Sequence, residues 1–165
     1  MVDLPVWLDG TDHMCCGETR HVGETVRISL AFSRAGQVET TSRPDEINVL
    51  DEGKISIAGT ADGMTGSDGP FGHGTLIASG DVQFAIHGDA PGRRVQCVGE
   101  LYEARHGEPS GTTTGQLVAI HWRPGEALRY EPGIELQATD DWLEHEPEGP
   151  NFWHLSSRSE FTADW

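Results

Sequence analysis

Val22-Gly23-Glu24-Thr25-Val26-Arg27-Ile28-Ser29-Leu30-Ala31-Phe32 alternates with a period of two. Val26, Ile28, Leu30 and Phe32 fall on one face, and Thr25, Arg27 and Ser29 on the other. A helix would spread those four apolar side chains around its circumference, whereas a strand stacks them on one side. The stretch therefore reads as a half-buried strand. Outward from it the same pattern recurs. Residues 76–87 carry Val82, Phe84 and Ile86 on one face, with Ser79-Gly80-Asp81 as a turn, and 93–103 place Val95, Cys97, Gly99 and Leu101 inward. Runs at 116–122 and 128–138 follow, separated by Arg123-Pro124-Gly125-Glu126, where Pro presets φ and Gly accepts a positive one. Shorter runs at 6–9, 47–50 and 54–58 add candidates, the last two joined by Asp51-Glu52-Gly53.

No window of helical length shows a 3.6-residue period free of Gly or Pro, and the chain holds 21 glycines and 9 prolines, the poorest residues for helix interiors. The expected fold is all-β: an antiparallel barrel or sandwich of six to eight short strands, because the connections are too short for parallel crossovers. Two stretches stand outside the pattern. Residues 59–75 contain six glycines and read as a long mobile loop. Residues 139–165 hold seven acids and one base (Arg158) with Trp142, Phe152, Trp153, Phe161 and Trp165 among them. The expected organisation is a β domain over 1–138 and an acidic, aromatic C-terminal segment over 139–165, which packs on the barrel or is partly disordered.

With 165 residues the chain is one domain in size, and its formal net charge is −16, with Lys54 the single lysine. A surface so acidic repels bare nucleic acid and anionic lipid and steers best toward a basic partner. Met1 to Gly10 carry Asp3 and Asp9 and no base, unlike a signal peptide, and no run of apolar residues is long enough for a spanning helix. Three cysteines, two of them adjacent, make a poor disulfide framework. Reduced thiols and a cytoplasmic location are the expectation. Charge is uneven: between Arg93 and Tyr130 five arginines face four acids, so this part is nearly neutral while the remainder is acidic. Arg93, Arg94, Arg105, Trp122 and Arg123 are the candidates for contact with a ligand or partner, arginine's planar fork suiting carboxylate or phosphate. The blander reading pairs these arginines with the acidic tail.

Reactive side chains concentrate near the start. His13, Cys15, Cys16 and His21 are nominally a zinc set, since thiolate and imidazole are its preferred ligands. Adjacent cysteines point in different directions in an extended chain, so the expectation is a structural turn at Gly17, with no metal and no cofactor. Arg105-His106-Gly107-Glu108 resembles the Arg-His-Gly signature of histidine phosphatases. That resemblance implies His106 as nucleophile and Arg105 as phosphate clamp. Those enzymes carry the motif near the start of an α/β domain; here it lies late in a strand-rich chain, and the alternative is a turn bent at Gly107. Gly69-Pro70-Phe71-Gly72-His73-Gly74-Thr75 lacks the Gly-Lys-Ser/Thr ending of a phosphate-cradling loop.

Two blocks carry a broader likeness. Trp7-Leu8-Asp9-Gly10, with Met14-Cys15-Cys16-Gly17-Glu18 and Val22-Gly23-Glu24-Thr25-Val26, is one. Gly99-Glu100-Leu101-Tyr102-Glu103-Ala104-Arg105-His106-Gly107, followed by Thr114-Gly115-Gln116-Leu117-Val118-Ala119-Ile120, is the other. Together they resemble a family of small uncharacterised actinobacterial proteins that pair a Cys-Cys-Gly opening with a late β-hairpin. The resemblance implies a shared reason for Cys15, Cys16 and Gly17 and names no activity.

Two functional classes follow. The first is a non-enzymatic binding module for a basic protein, of which an immunity-type inhibitor is the concrete form. The second is a small enzyme or small-molecule-binding barrel, with a His/Glu-lined pocket under residues 59–75 and His73, Glu103, His106 and His121 as its candidate residues.

Overall fold

The computed structural model describes residues 2–9, 20–66, 69–130, 133–138 and 154–163, with the backbone alone at 8–9, 122–130, 133–138 and 154–163. Its strands in chain order are β1 (Val2–Asp9), β2 (Thr25–Phe32), β3 (Gln37–Thr40), β4 (Glu46–Val49), β5 (Ile55–Gly66), β6 (His73–Ser79), β7 (Val82–His87), β8 (Arg94–Gly99), β9 (Leu101–Glu103), β10 (Gly111–Tyr130), β11 (Gly133–Ala138) and β12 (His154–Ala163). The only other element among the described residues is a 3-10 turn at Asp51–Gly53. The protein is all-β. One sheet runs β11-β10-β12-β1-β9-β2-β7-β6-β5-β8-β3, with β4 on β5, and curls into a half-barrel. The curl brings together strands far apart in that order: the Trp7 indole N–H donates to the Gly53 carbonyl at 3.2 Å, tying β1 to the turn after β4.

The alternation in β2 is borne out. Val26, Ile28, Leu30 and Phe32 are buried, and Thr25, Arg27 and Ser29 are exposed. They join Leu4, Val6, Ile55, Ile57, Ile77, Phe84, Leu101 and Leu117 in one core, where the Phe32 and Phe84 ring centroids lie 6.2 Å apart. Burial of these side chains is the main stabilising contribution, at about 1.5–3 kcal/mol for each large one. The turn read at Ser79-Gly80-Asp81 is also present: Ser79 pairs with Val82, leaving Gly80 and Asp81 as a two-residue hairpin loop.

Four expectations are corrected. Twelve strands are present among the described residues, because a short segment such as β3 pairs without carrying an apolar pattern long enough to read, and the run at 93–103 divides at Glu100 into β8 and β9. The sheet is mixed: β1 runs parallel to β9 through Val6↔Leu101, and β2 parallel to β7 through Ala31↔Ala85. Residues 59–75 are largely a hairpin arm, β5 pairing with β6 from Thr60↔Ala78 to Gly66↔His73. Gly63 marks a bulge there, with φ +91° at a register shift between Ala61 and Met64, so this glycine serves a strand instead of a loop. Finally, Arg123-Pro124-Gly125-Glu126 lies inside β10. The chain passes it at a second register shift between Arg123 and Pro124, and the reversal into β11 falls at Tyr130↔Gly133. Proline, lacking an N–H, fits such an irregularity without losing a ladder bond. Beyond 139, β12 lies between β1 and β10, pairing with both.

Candidate functional site

Three polar side chains meet on the face of the sheet that carries Ala31. In register, Ala31 of β2 stands beside Tyr102 of β9 and Ala85 of β7. His87 follows Ala85 by two residues and so shares its face. Strands either side of β2 are about 10 Å apart, twice the inter-strand spacing, and two rings bridge that gap only over a small residue. Ala31, fully buried, is that residue. His87 Nε2 lies 3.0 Å from the Tyr102 hydroxyl and 3.3 Å from Glu108 Oε1, and the Tyr102 hydroxyl donates to the same carboxylate oxygen. Glu108 is placed by a tight turn, its N–H donating to the Arg105 carbonyl at 3.0 Å and its Oε2 accepting from the Arg105 N–H at 2.9 Å.

The cluster is dry. The side chains of His87 and Glu108 are 10% and 6% exposed. Burial holds the His87 imidazole below its ordinary value, with the positive charge of Arg34 acting in the same direction and the Glu108 carboxylate opposing both. Burial, with Glu108 beside it, raises the Tyr102 hydroxyl. A neutral imidazole that donates from Nε2 carries its lone pair on Nδ1, and His87 Nδ1 is buried without a hydrogen-bond partner. Next to the ring, Phe32, Ser33, Arg34, Val38, Ile86 and His87 line a concavity of about 270 Å³. The Arg34 guanidinium reaches over to the Phe71 carbonyl at 3.4 Å, on the tip of the β5–β6 arm.

The candidates read from sequence are dispersed. His73 is exposed and pairs with Asp89 at 3.1 Å; Glu103 receives Arg20 in a two-pronged contact at 2.5 and 3.0 Å; His106 is exposed in the Arg105–Glu108 turn; His121 is half-buried in β10. Arg93 is exposed ahead of β8. Arg94 is committed within the fold, to Asp45 at 2.9 Å, Thr60 at 2.8 Å and the Arg43 carbonyl. Arg105 is exposed and separated from Arg94 in the sheet order by β2, β7, β6 and β5. Trp122 and Arg123 lie in β10, their side chains outside the described residues. His13, Cys15 and Cys16 also lie outside the described residues, and His21 is exposed. Among the described residues no group of three or more His, Cys, Asp or Glu is placed to hold a metal ion. Cys97 is buried, which pushes its thiol up to about 12 and leaves it inert as a nucleophile.

His87, Tyr102 and Glu108 come together through strand pairing. The spacing of Tyr102 and Glu108 around a Gly107 turn was open to reading, but the partner fifteen residues upstream follows only from the order β9-β2-β7. Among the described residues no helix is long and apolar enough to cross a membrane. Compared with protein-family models, curated proteins and solved structures, the chain matches none of them.

Proposed function

We propose that the protein is a non-enzymatic binding module that captures a basic protein partner in the cytoplasm, in the manner of an immunity-type inhibitor, and that it shares descent with the small actinobacterial Cys-Cys-Gly proteins. The observation that carries the binding reading is the edge formed by β4 and the turn after it. Val49 and Leu50 are 46% and 41% exposed, and exposed Glu46, Asp51 and Glu52 flank them. Two other carboxylates are committed within the fold, Asp45 to Arg94 and Glu103 to Arg20. Glu46, Asp51 and Glu52 make no ion pair among the described residues. Apolar tips ringed by uncommitted negative charge suit a partner with an apolar anchor between cationic groups.

The test is titration of the full chain with an arginine-rich peptide carrying leucine anchors, at low and high salt. Binding should weaken as salt rises, because counterions screen exposed charge, and should be lost in the E46Q/D51N/E52Q variant. L50S should weaken it without altering the salt dependence. Binding that survives the triple charge substitution refutes this reading.

A further inference from the structure

We infer that the partner is held as an added strand: an extended segment alternating cationic and apolar residues pairs antiparallel with the free side of β4. This rests on the acidic-edge reading above and supplies its mode of binding.

The hydrogen-bond parity of β5 leaves β4 with a free side. The Ala61 N–H donates to the Arg93 carbonyl at 2.8 Å, and in the same register Ile55, Ile57 and Gly59 bond to β8. Ser56 and Ala58 are left to bond to their partners in β4, Asn48 and Glu46. The Leu50 N–H, donating to the Lys54 carbonyl at 2.8 Å, continues the same parity. The N–H and C=O groups of Ile47 and Val49 therefore point away from β5. Among the described residues β4 pairs with β5 alone, and the backbones of Ile47 and Val49 make no hydrogen bond.

This edge is held in place at both ends. Before it, the Asp45 carboxylate accepts from the Gly80 N–H at 3.3 Å and pairs with Arg94 at 2.9 Å. After it, the Trp7 indole fixes the 51–53 turn through the Gly53 carbonyl. A strand edge fixed beforehand loses little freedom when a partner docks.

Side-chain alternation sets what the added strand carries. Ile47 and Val49 project from one face of β4, and Glu46 and Asn48 from the other. An apolar residue gains contact opposite Ile47 or Val49, and a cationic one opposite Glu46. Exposed Asp51 and Glu52 extend the negative charge past the strand. A second copy of the chain fits poorly, since its β4 brings the same acidic residues and two chains of net charge −16 repel. Antiparallel pairing is the slightly more stable arrangement, and in it the residues opposite Ile47 and Val49 are the ones whose amides bond to β4.

The test is titration of the full chain with a short peptide alternating leucine and arginine, and with two isomers of it, N-methylated on the leucine amides alone or on the arginine amides alone. Methylation of the leucine amides should weaken binding about tenfold or more, the effect of two net hydrogen bonds, and methylation of the arginine amides should leave it nearly unchanged. The Ile47 and Val49 amides should exchange fast in the free chain and slowly in the complex, with Asn48 slow in both. V49P removes one outward N–H while leaving the ladder to β5 intact, and should weaken binding about fivefold. Equal affinity of the two isomers, with binding still lost in E46Q/D51N/E52Q, would overturn strand addition and leave the acidic-edge reading standing. Failure of the unmethylated peptide to bind would overturn both. Ile47 and Val49 amides already protected in the free chain would place another part of the chain, or a second copy, on this edge and would overturn strand addition.

Discussion

The two halves of β5 belong to one strand and are held by different forces. Residues 55–58 lie between β4 and β8, with Ile55 and Ile57 at zero exposure. Residues 61–66 pair with β6, and there Asp62, Gly63 and Met64 stand in solvent, Met64 at 69% exposure. The first half is anchored by side chains in the core, the second by backbone hydrogen bonds to a neighbour. Apolar packing and strand pairing are separable, and a sequence advertises only the first.

The comparison predicts unequal responses to substitution. Ile57→Ala removes three carbons from the fully enclosed half, and its unfolding free energy by urea denaturation should fall by about 2–5 kcal/mol, the range for an aliphatic side chain truncated in a core. A fall below 1 kcal/mol would mean that this half is no better anchored than the other, and the contrast would dissolve.

In the pairing half the sensitive position is the bulge. Gly63 has φ +91°, and a Cβ built there meets no heavy atom within 4 Å, so any penalty for a side chain is conformational instead of steric. Gly63→Val should cost about 1–2 kcal/mol, the penalty for an L-residue forced to positive φ. Amide exchange should locate the change in 61–66 and spare 55–58. Uniform acceleration through both halves would show that the arm and the core open as one unit.

The same division explains what could be read in advance. Val26, Ile28, Leu30 and Phe32 announce β2 because the core needs every second residue apolar. Val82, Phe84 and Ile86 announce β7 for the same reason, and the Gly80-Asp81 reversal follows. The far half of β5 contains Thr60, Ala61, Asp62, Gly63 and Met64, which bury little, so composition describes a loop where the ladder makes a strand. Pro124-Gly125 misled in the opposite sense. The dipeptide has turn chemistry, but β10 continues through it beside β12, a partner some thirty residues downstream that no local pattern discloses. The polar site was hidden by the same cause. Tyr102, His87 and Ala31 look unremarkable singly and become a cluster only when β2 runs between β9 and β7.

The smallest effect expected concerns that cluster, which ties the far arm to the core: Gly74 stands opposite His87, and the Gly88 N–H donates to the His73 carbonyl at 3.0 Å. Burial and Arg34 hold the folded imidazole below its ordinary 6.5, the Glu108 carboxylate only partly opposing them. In the unfolded chain the ring regains its ordinary proton affinity, so below about pH 6.5 the unfolded state takes up a proton that the folded state refuses. Stability contributed by the neutral ring is present above that pH and is lost as the pH falls toward the folded value. Urea midpoints measured between about pH 7.5 and 5.5 should therefore decline more steeply for the wild type than for His87→Gln, which cannot titrate in that range. Parallel curves would mean that the ring accepts its proton as readily folded as unfolded. The buried half of the molecule would then tolerate charge at its polar seam, and the contrast with the solvent-facing arm would rest on Ile57 and its neighbours alone.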